Sequence, residues 1–141
     1  MTRSSNSEDV DFKLLFESLP DMYIVVRPDR TIAAATDSFM ESTGKDLEDV
    51  LDMDILEAYP DNPDNPDAKG TEILRGSIDR VLSSKQTDIL PPVRYDLKNR
   101  DGEFEVRWFQ PLNAPAFDDT GEIAYVLHGA VDITKQMEKQ D

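Results

Sequence analysis

The chain has 141 residues, 38% of them hydrophobic, no cysteine, and 30 acidic against 15 basic residues for a net charge of −15. That content supplies one modest core and not two, and the missing thiols remove disulfides, thiolate nucleophiles and thiol-ligated metals together. A field this negative repels nucleic acid and anionic lipid, whose affinity comes from basic side chains that release counterions. With no basic-then-apolar leader and no membrane-length apolar run, a soluble cytoplasmic module is expected. The acidity fits ordinary solubility and adaptation to high salt equally.

Residues 1–9 are polar and are expected to be disordered. Phe12, Leu15, Phe16 and Leu19 then fall at i, i+3, i+4 and i+7, the apolar stripe of a short helix over 10–19 that stops at Pro20. Met22 to Val26 reads as a strand, Arg27-Pro28-Asp29-Arg30 as a turn, and Thr31 to Ala35 as the returning strand. Short helices are predicted from Asp37 to Ser42 and from Asp46 to Leu51, the second capped by Asp46 with Leu47, Val50 and Leu51 inward. Another turn of helix is expected within Met53 to Tyr59.

Pro60 to Ala68 is too proline-rich for a helix or a central strand. Its Asp61, Asp64 and Asp67 recur every three residues, the period of a polyproline II helix, which suggests a calcium edge. The segment lacks the central glycine and closing glutamate of a calcium loop, so a solvated, stiff linker is the preferred reading.

A helix follows from Thr71 to Ser83 with Leu74, Ile78, Val81 and Leu82 on one face, and Val93, Tyr95 and Leu97 alternate as a third strand. From Glu103 to Trp108 the alternation is strict, with Phe104, Val106 and Trp108 on one side. A second run, Glu122 to Thr134, places Ile123, Tyr125, Leu127, Val131 and Ile133 at every second position. Pro115 and Asp118-Asp119-Thr120-Gly121 join the two as a long hairpin, and the polar stretch 135–141 favours a helix. Strands, helices, then strands describe an α+β fold: a five-stranded antiparallel sheet with short helices on one face.

The segments Asp101-Gly102-Glu103-Phe104-Glu105, Trp108, Pro111-Leu112-Asn113-Ala114-Pro115, Gly121 and Asp132-Ile133-Thr134 resemble the last two strands of a PAS sensor domain. The resemblance is narrowest to the PAS domains of bacterial and archaeal sensory histidine kinases and related signalling regulators. Upstream, Ile32 to Thr36, Phe39, Thr43-Gly44 and Leu47 to Leu51 fit the second strand and first helix of that family. Two positions depart from it, Thr36 where Asn is usual and Asp52 where Gly is frequent. The resemblance implies a PAS domain over 10–134 and the start of a C-terminal linker helix over 135–141.

It also implies a sensory function. A small ligand or a partner would shift the packing under the long strands, and Asp132, Ile133 and Thr134 would relay the shift to an effector outside this chain, a histidine kinase first. Thr134 is expected to cap the linker helix and Asp132 to be anchored by Arg107. A homodimer is expected, and no catalysis by the domain itself.

Cysteine-adduct flavin chemistry is excluded by composition. Haem is disfavoured: family members that bind it take their histidine from the long helix, which here has none. The single histidine, His128, is expected on the strand face opposite Ile123, Tyr125 and Leu127. No cofactor, or an unknown small molecule, is therefore expected, with no metal.

With Ile123, Tyr125, Leu127 and Val131 toward the helices, a cavity wall is expected from Phe39, Met40, Met53, Ile55, Ile78, Tyr95, Trp108, Tyr125 and Leu127. Gly129 would leave a gap in it. The outward residues, Val126 and His128 among them, would receive the stripe Phe12, Leu15, Phe16 and Leu19 from the same subunit or from a partner. Two rival readings are a ligand-free dimerisation module of a transcriptional or chemotaxis regulator, and a small α+β enzyme with Asp54 or Glu57 near Tyr59 as its acid–base pair.

Overall fold

The computed structural model describes residues 9–139; the expectations for residues 1–8 and 140–141 lie outside the described residues. Helix α1 (Phe12–Glu17) starts where Asp11 Oδ1 accepts from the Leu14 N–H at 3.0 Å. Strands β1 (Met22–Val26) and β2 (Ile32–Ala35) form the expected antiparallel hairpin. In its turn Asp29 Oδ1 accepts from the Thr31 N–H and hydroxyl at 3.0 and 2.6 Å.

Thr36 opens α2 (Asp37–Thr43): its Oγ1 accepts from Phe39 N at 3.2 Å and Tyr23 N at 3.1 Å and donates to the Asp21 carbonyl at 2.9 Å. The fully buried hydroxyl thus caps the helix and ties it to β1, so the departure at Thr36 leaves the turn intact. Gly44 ends α2 in the left-handed region at φ 69°. In α3 (Leu47–Val50) Val50 is buried, but Leu51 is exposed rather than inward, because the helix stops and the chain turns away at that residue. Asp54 then caps α4 (Ile55–Ala58), accepting from Leu56 N at 2.8 Å.

The proline-rich segment folds as two Asx turns, Asn62 Oδ1 accepting from Asp64 N at 3.0 Å and Asn65 Oδ1 from Asp67 N at 3.1 Å. Asp61 turns instead to the long helix α5 (Gly70–Ser84), where its carboxylate accepts from Thr71 N at 3.2 Å and the Thr71 hydroxyl at 2.7 Å. Among the described residues, no three His, Cys, Asp or Glu side chains converge as metal ligands.

The remaining strands are β3 (Asp88–Ile89), β4 (Val93–Arg94), β5 (Leu97–Lys98), β6 (Phe104–Glu105), β7 (Trp108–Phe117) and β8 (Ile123–Asp132), followed by α6 (Thr134–Glu138). The antiparallel sheet runs β2-β1-β8-β7, and β3 and β4 share the fifth position along the free edge of β7. The expected third strand is therefore split, and β5 pairs only with β6. The run from Glu103 to Trp108 is also broken: the ladder lapses at Val106 and Arg107, and Val106 is 51% exposed. Pro115 lies inside β7 opposite Val126, so the turn is made by Asp118 to Gly121 alone. Helices cover one sheet face, over a core in which Ile24, Val26, Ile32, Ile55, Ile78, Val81 and Val126 are fully buried. No described helix is long and apolar enough to cross a membrane.

Ile123 packs against the core as expected, but beyond the register irregularity that follows it the two faces of β8 are the reverse of the sequence expectation. Val126 is fully buried and His128 and Ala130 face the helices, whereas Tyr125 and Val131 are 44% and 58% exposed. The cause is register: Val26 pairs with Val126, Ile24 with His128 and Met22 with Ala130. Directly opposed residues share a sheet face, and Met22, Ile24 and Val26 are all buried. Gly129, opposite Tyr23, is not a gap in a cavity wall but the seat of the Tyr23 ring on the outer face. A Cβ there would lie 2.7 Å from Tyr23 Cε1.

Asp52 sits at φ 69° with only an exposed ion pair to Arg27 at 3.0 Å, which accounts for the fitness of glycine at this position. Asp52→Ala should be about 1 kcal/mol less stable than Asp52→Gly in urea unfolding; equal midpoints would contradict the left-handed conformation.

Candidate functional site: a cavity beneath the sheet and the junction after its last strand

A cavity of about 80 Å³ lies between the helices and the sheet, small beside the several hundred Å³ of a drug-sized site. Phe39 and Thr43 of α2, Ile55 and Tyr59 around α4, and Gly70, Thr71, Ile73 and Leu74 of α5 form one side. Met22, Phe109, Pro111, His128 and Ala130 of the sheet form the other, and Leu90, Val93, Tyr95 and Leu97 complete the rim. Gly70 is required by close approach, since a Cβ there would come within 2.4 Å of Tyr95 Cδ2.

Of the nine expected wall residues, Phe39, Ile55 and Tyr95 line this cavity. Met40 and Ile78 are buried in the core beside it, and Met53 is exposed at the end of a turn. Trp108 alternates away from Phe109 and Pro111, which face inward. Tyr125 and Leu127 fall on the outer face through the reversal of β8, which brings Ala130 and His128 into the wall instead. Val126 is core and not an interface. Phe12, Leu15 and Leu19 remain exposed, with Phe16 half-buried. Asp54 is committed to its helix cap and to Arg30 at 3.6 Å, and Glu57 is exposed; neither carboxylate reaches the cavity.

Polar groups in the wall are few and paired. Thr43 Oγ1 and Tyr59 Oη lie 3.0 Å apart, and Tyr95 donates to the Pro60 carbonyl at 2.8 Å. Burial pushes the Tyr59 hydroxyl up to about 12 despite its bond to Thr43. Burial, with Asp61 nearby, pushes Tyr95 up as well. His128, edge-on to Phe39 at 6.3 Å between ring centres, is brought down to about 4 by burial.

Sequence reasoning missed a polar chain running from this histidine to the surface. His128 Nδ1 is 2.9 Å from Asn113 Oδ1, Asn113 Nδ2 donates to Ser77 Oγ at 2.8 Å, and Ser77 donates to Asp88 Oδ2 at 2.7 Å. Arg80 holds the same oxygen through Nη2 at 2.9 Å and Nε at 3.2 Å. Arg80 and then Ser77 keep the Asp88 carboxyl below its usual range. The one signal available was Asn113, a polar residue at an inward position of β7 and within the quoted Pro-Leu-Asn-Ala-Pro run.

Four residues past His128, β8 ends in a clamp at Asp132. Asp132 Oδ1 accepts from the Thr134 N–H at 2.9 Å and from its hydroxyl at 2.6 Å, while Thr134 Oγ1 accepts from Trp108 N at 2.9 Å. Ile133 N donates to the Trp108 carbonyl at 2.8 Å. Thr134 is thus the buried first residue of α6 and not its cap, which falls at Ile133. Arg107, in the bend between β6 and β7, reaches back to Glu105 at 2.8 Å and leaves Asp132 to Thr134.

The PAS_4 family model, described as the PAS fold, matches residues 16–138, and the chain belongs to the PAS family. Among similar solved structures is the PAS domain of an HTR-like protein from Haloarcula marismortui, at 21% identity over 92% of this chain and 93% of that one, TM-score 0.60. A sensory box sensor histidine kinase from Vibrio cholerae is 20% identical over 93% of this chain and 95% of its own, TM-score 0.60. An RNA-binding light-oxygen-voltage receptor is 16% identical over 99% of this chain with a TM-score of 0.71, and the chain spans 36% of that receptor. At these identities the likeness is one of fold. No curated protein sequence matches the chain.

The half-buried histidine makes stability pH-dependent. Between its folded value of about 4 and the unfolded value near 6.5 the unfolded chain binds more protons, so stability is full above about pH 7 and drains as pH falls toward 4. The loss is at most roughly 3 kcal/mol. Urea titrations of the parent and of His128→Leu at pH 7 and 4.5 isolate the contribution: the variant should lose less on acidification, and parallel losses would refute it.

Proposed function

We propose that this chain is the sensory module of a signalling protein: a small ligand in the cavity shifts the packing beneath the sheet, and β8 conveys the shift through Asp132, Ile133 and Thr134 to an effector joined after α6. The observation that carries this reading is the continuity of one strand. β8 walls the cavity with His128 and Ala130 and, two residues past Ala130, supplies the carboxylate of the junction clamp. A displacement along β8 strains the clamp, and the clamp sets where α6 begins.

A histidine kinase is the effector favoured by the resemblance of the last strands and by the likeness of fold to a sensor histidine kinase. The domain is sensory rather than catalytic, and it works in the cytoplasm. Its charge of −15 keeps it from nucleic acid and anionic membrane. In a chimera that puts this chain in place of a kinase's sensor, Asp132→Ala and Thr134→Val should change autophosphorylation several-fold. Thr134→Val leaves the Trp108 N–H without its acceptor at a cost of about 1–3 kcal/mol, while Thr134→Ser keeps the bond and the output. Unchanged kinase output in both clamp variants would remove the relay.

A homodimer is the second part of the reading, supported by apolar groups exposed among the described residues. Phe12 and Leu15 are 62% and 54% exposed on α1, and Tyr125 and Val131 lie exposed on the outer sheet face. A second copy of this chain is the occupant we assign to them. Native mass spectrometry should show a dimer that Phe12→Glu with Leu15→Glu converts to monomer; a parent monomeric at tens of micromolar would end this part.

A further inference from the structure

The hydrogens in the cavity wall are fixed by the groups that can only accept them. At the surface end of the polar chain, the Asp88 carboxylate receives Arg80 and Ser77. Ser77 has spent its one hydrogen there, so its oxygen must accept from Asn113, which turns Asn113 Nδ2 toward Ser77 and Oδ1 toward His128. An amide oxygen cannot donate. Nδ1 of His128 therefore carries the proton, and Nε2 is left as a lone pair. Among the described residues Nε2 makes no hydrogen bond, and Arg30 Nε is the one fully buried polar side-chain atom without a hydrogen-bond partner. Nε2 thus keeps accessible surface, and the ring lines the cavity.

The other polar side chains of the wall obey the same accounting. Thr43 Oγ1 lies 3.0 Å from both the Phe39 carbonyl and Tyr59 Oη, and with Thr43 donating to the carbonyl Tyr59 donates to Thr43. Tyr95 donates to the Pro60 carbonyl and Thr71 to the Asp61 carboxylate. With that assignment every side-chain donor around the cavity is committed to the protein, and the side-chain capacity left over is all acceptor.

We propose that the cavity is built for a small, neutral, mostly apolar molecule bearing one O–H or N–H donor, an alcohol, phenol or ring N–H, which it presents to Nε2 of His128. This rests on the reading of the domain as a ligand sensor and adds the ligand's polarity. A carboxylate or a bare carbonyl brings only acceptors, meeting lone pairs with lone pairs, and a cation would be buried without a counter-charge. The volume of about 80 Å³ holds the molecule to one ring or a short chain.

Two probes of nearly equal size, phenol and fluorobenzene, differ in the donor alone. In a ¹H–¹⁵N long-range correlation spectrum the single histidine should show the Nδ1–H tautomer, with its Nε2 resonance moving upfield on addition of phenol. Phenol should bind about 10-fold or more tightly than fluorobenzene, the ratio expected when a buried acceptor is left unpaired. An Nε2–H tautomer in the free protein overturns the proposal outright. Equal binding of the two probes overturns the donor requirement while leaving a ligand cavity in place. Binding of neither removes the ligand-sensor reading together with the proposal.

Discussion

Antiparallel pairing places His128 between Ile24 on β1 and Asn113 on β7, and the cavity, the polar chain and the junction clamp all follow from that register. Side chains alternate across a strand, so a slip of one residue would send His128 and Ala130 to the outer face and bring Leu127 and Gly129 beneath the helices. The pairing is held from three directions. Val26 and Val126 bury each other in the core, the Tyr23 ring occupies the space above Gly129, and the Asn113 amide requires a partner at His128. Apolar packing alone tolerates sliding; a buried amide with a directional need does not.

The polar chain from His128 to Arg80 crosses the layers, joining β8, β7, α5 and β3. Its inner members, Asn113 and Ser77, are fully buried, where an unpaired amide or hydroxyl would cost about 1–3 kcal/mol each. Each is satisfied by the next, and the last charge lies at the surface beside a guanidinium. The long helix is thereby fixed to the sheet by direction as well as by the apolar contacts of Ile78 and Val81. That is a geometry in which a change at one end of the chain alters hydrogen bonding at the other.

Much of the framework was legible along the chain. The period of Leu74, Ile78, Val81 and Leu82 marked the long helix, Asp118 to Gly121 marked the hairpin turn, and the closing Asp-Ile-Thr run marked the family. What was not legible was orientation. β8 is apolar on both faces, with Tyr125, Leu127 and Val131 matched by Ala124, Val126 and Ala130, so alternation identified a strand without saying which side meets the helices. The answer lay in the partner strand, a hundred residues earlier in the chain, where Met22, Ile24 and Val26 are buried. Ser77, Asp88, Asn113 and His128 were equally hidden: each is an ordinary polar residue in its own segment, and only the tertiary pairing of α5 with the sheet assembles them. Arg107 was assigned to Asp132 on charge alone, but the bend between β6 and β7 gives it a nearer carboxylate.

The proline-rich strap is fastened at three points, two of them to residues of the cavity wall: Tyr95 to the Pro60 carbonyl, Asp61 to Thr71, and Asn62 to Asp96 at 3.1 Å. All are polar contacts, only Asp96 among the fastened groups being buried, and none belongs to the sheet ladder, so releasing them disturbs less than opening the core. The prolines meanwhile limit how far the released segment can wander, which favours quick reclosure. The strap is thereby a segment whose local opening leaves the sheet ladder intact, and its fastenings to Tyr95 and Thr71 join that opening to two side chains of the wall.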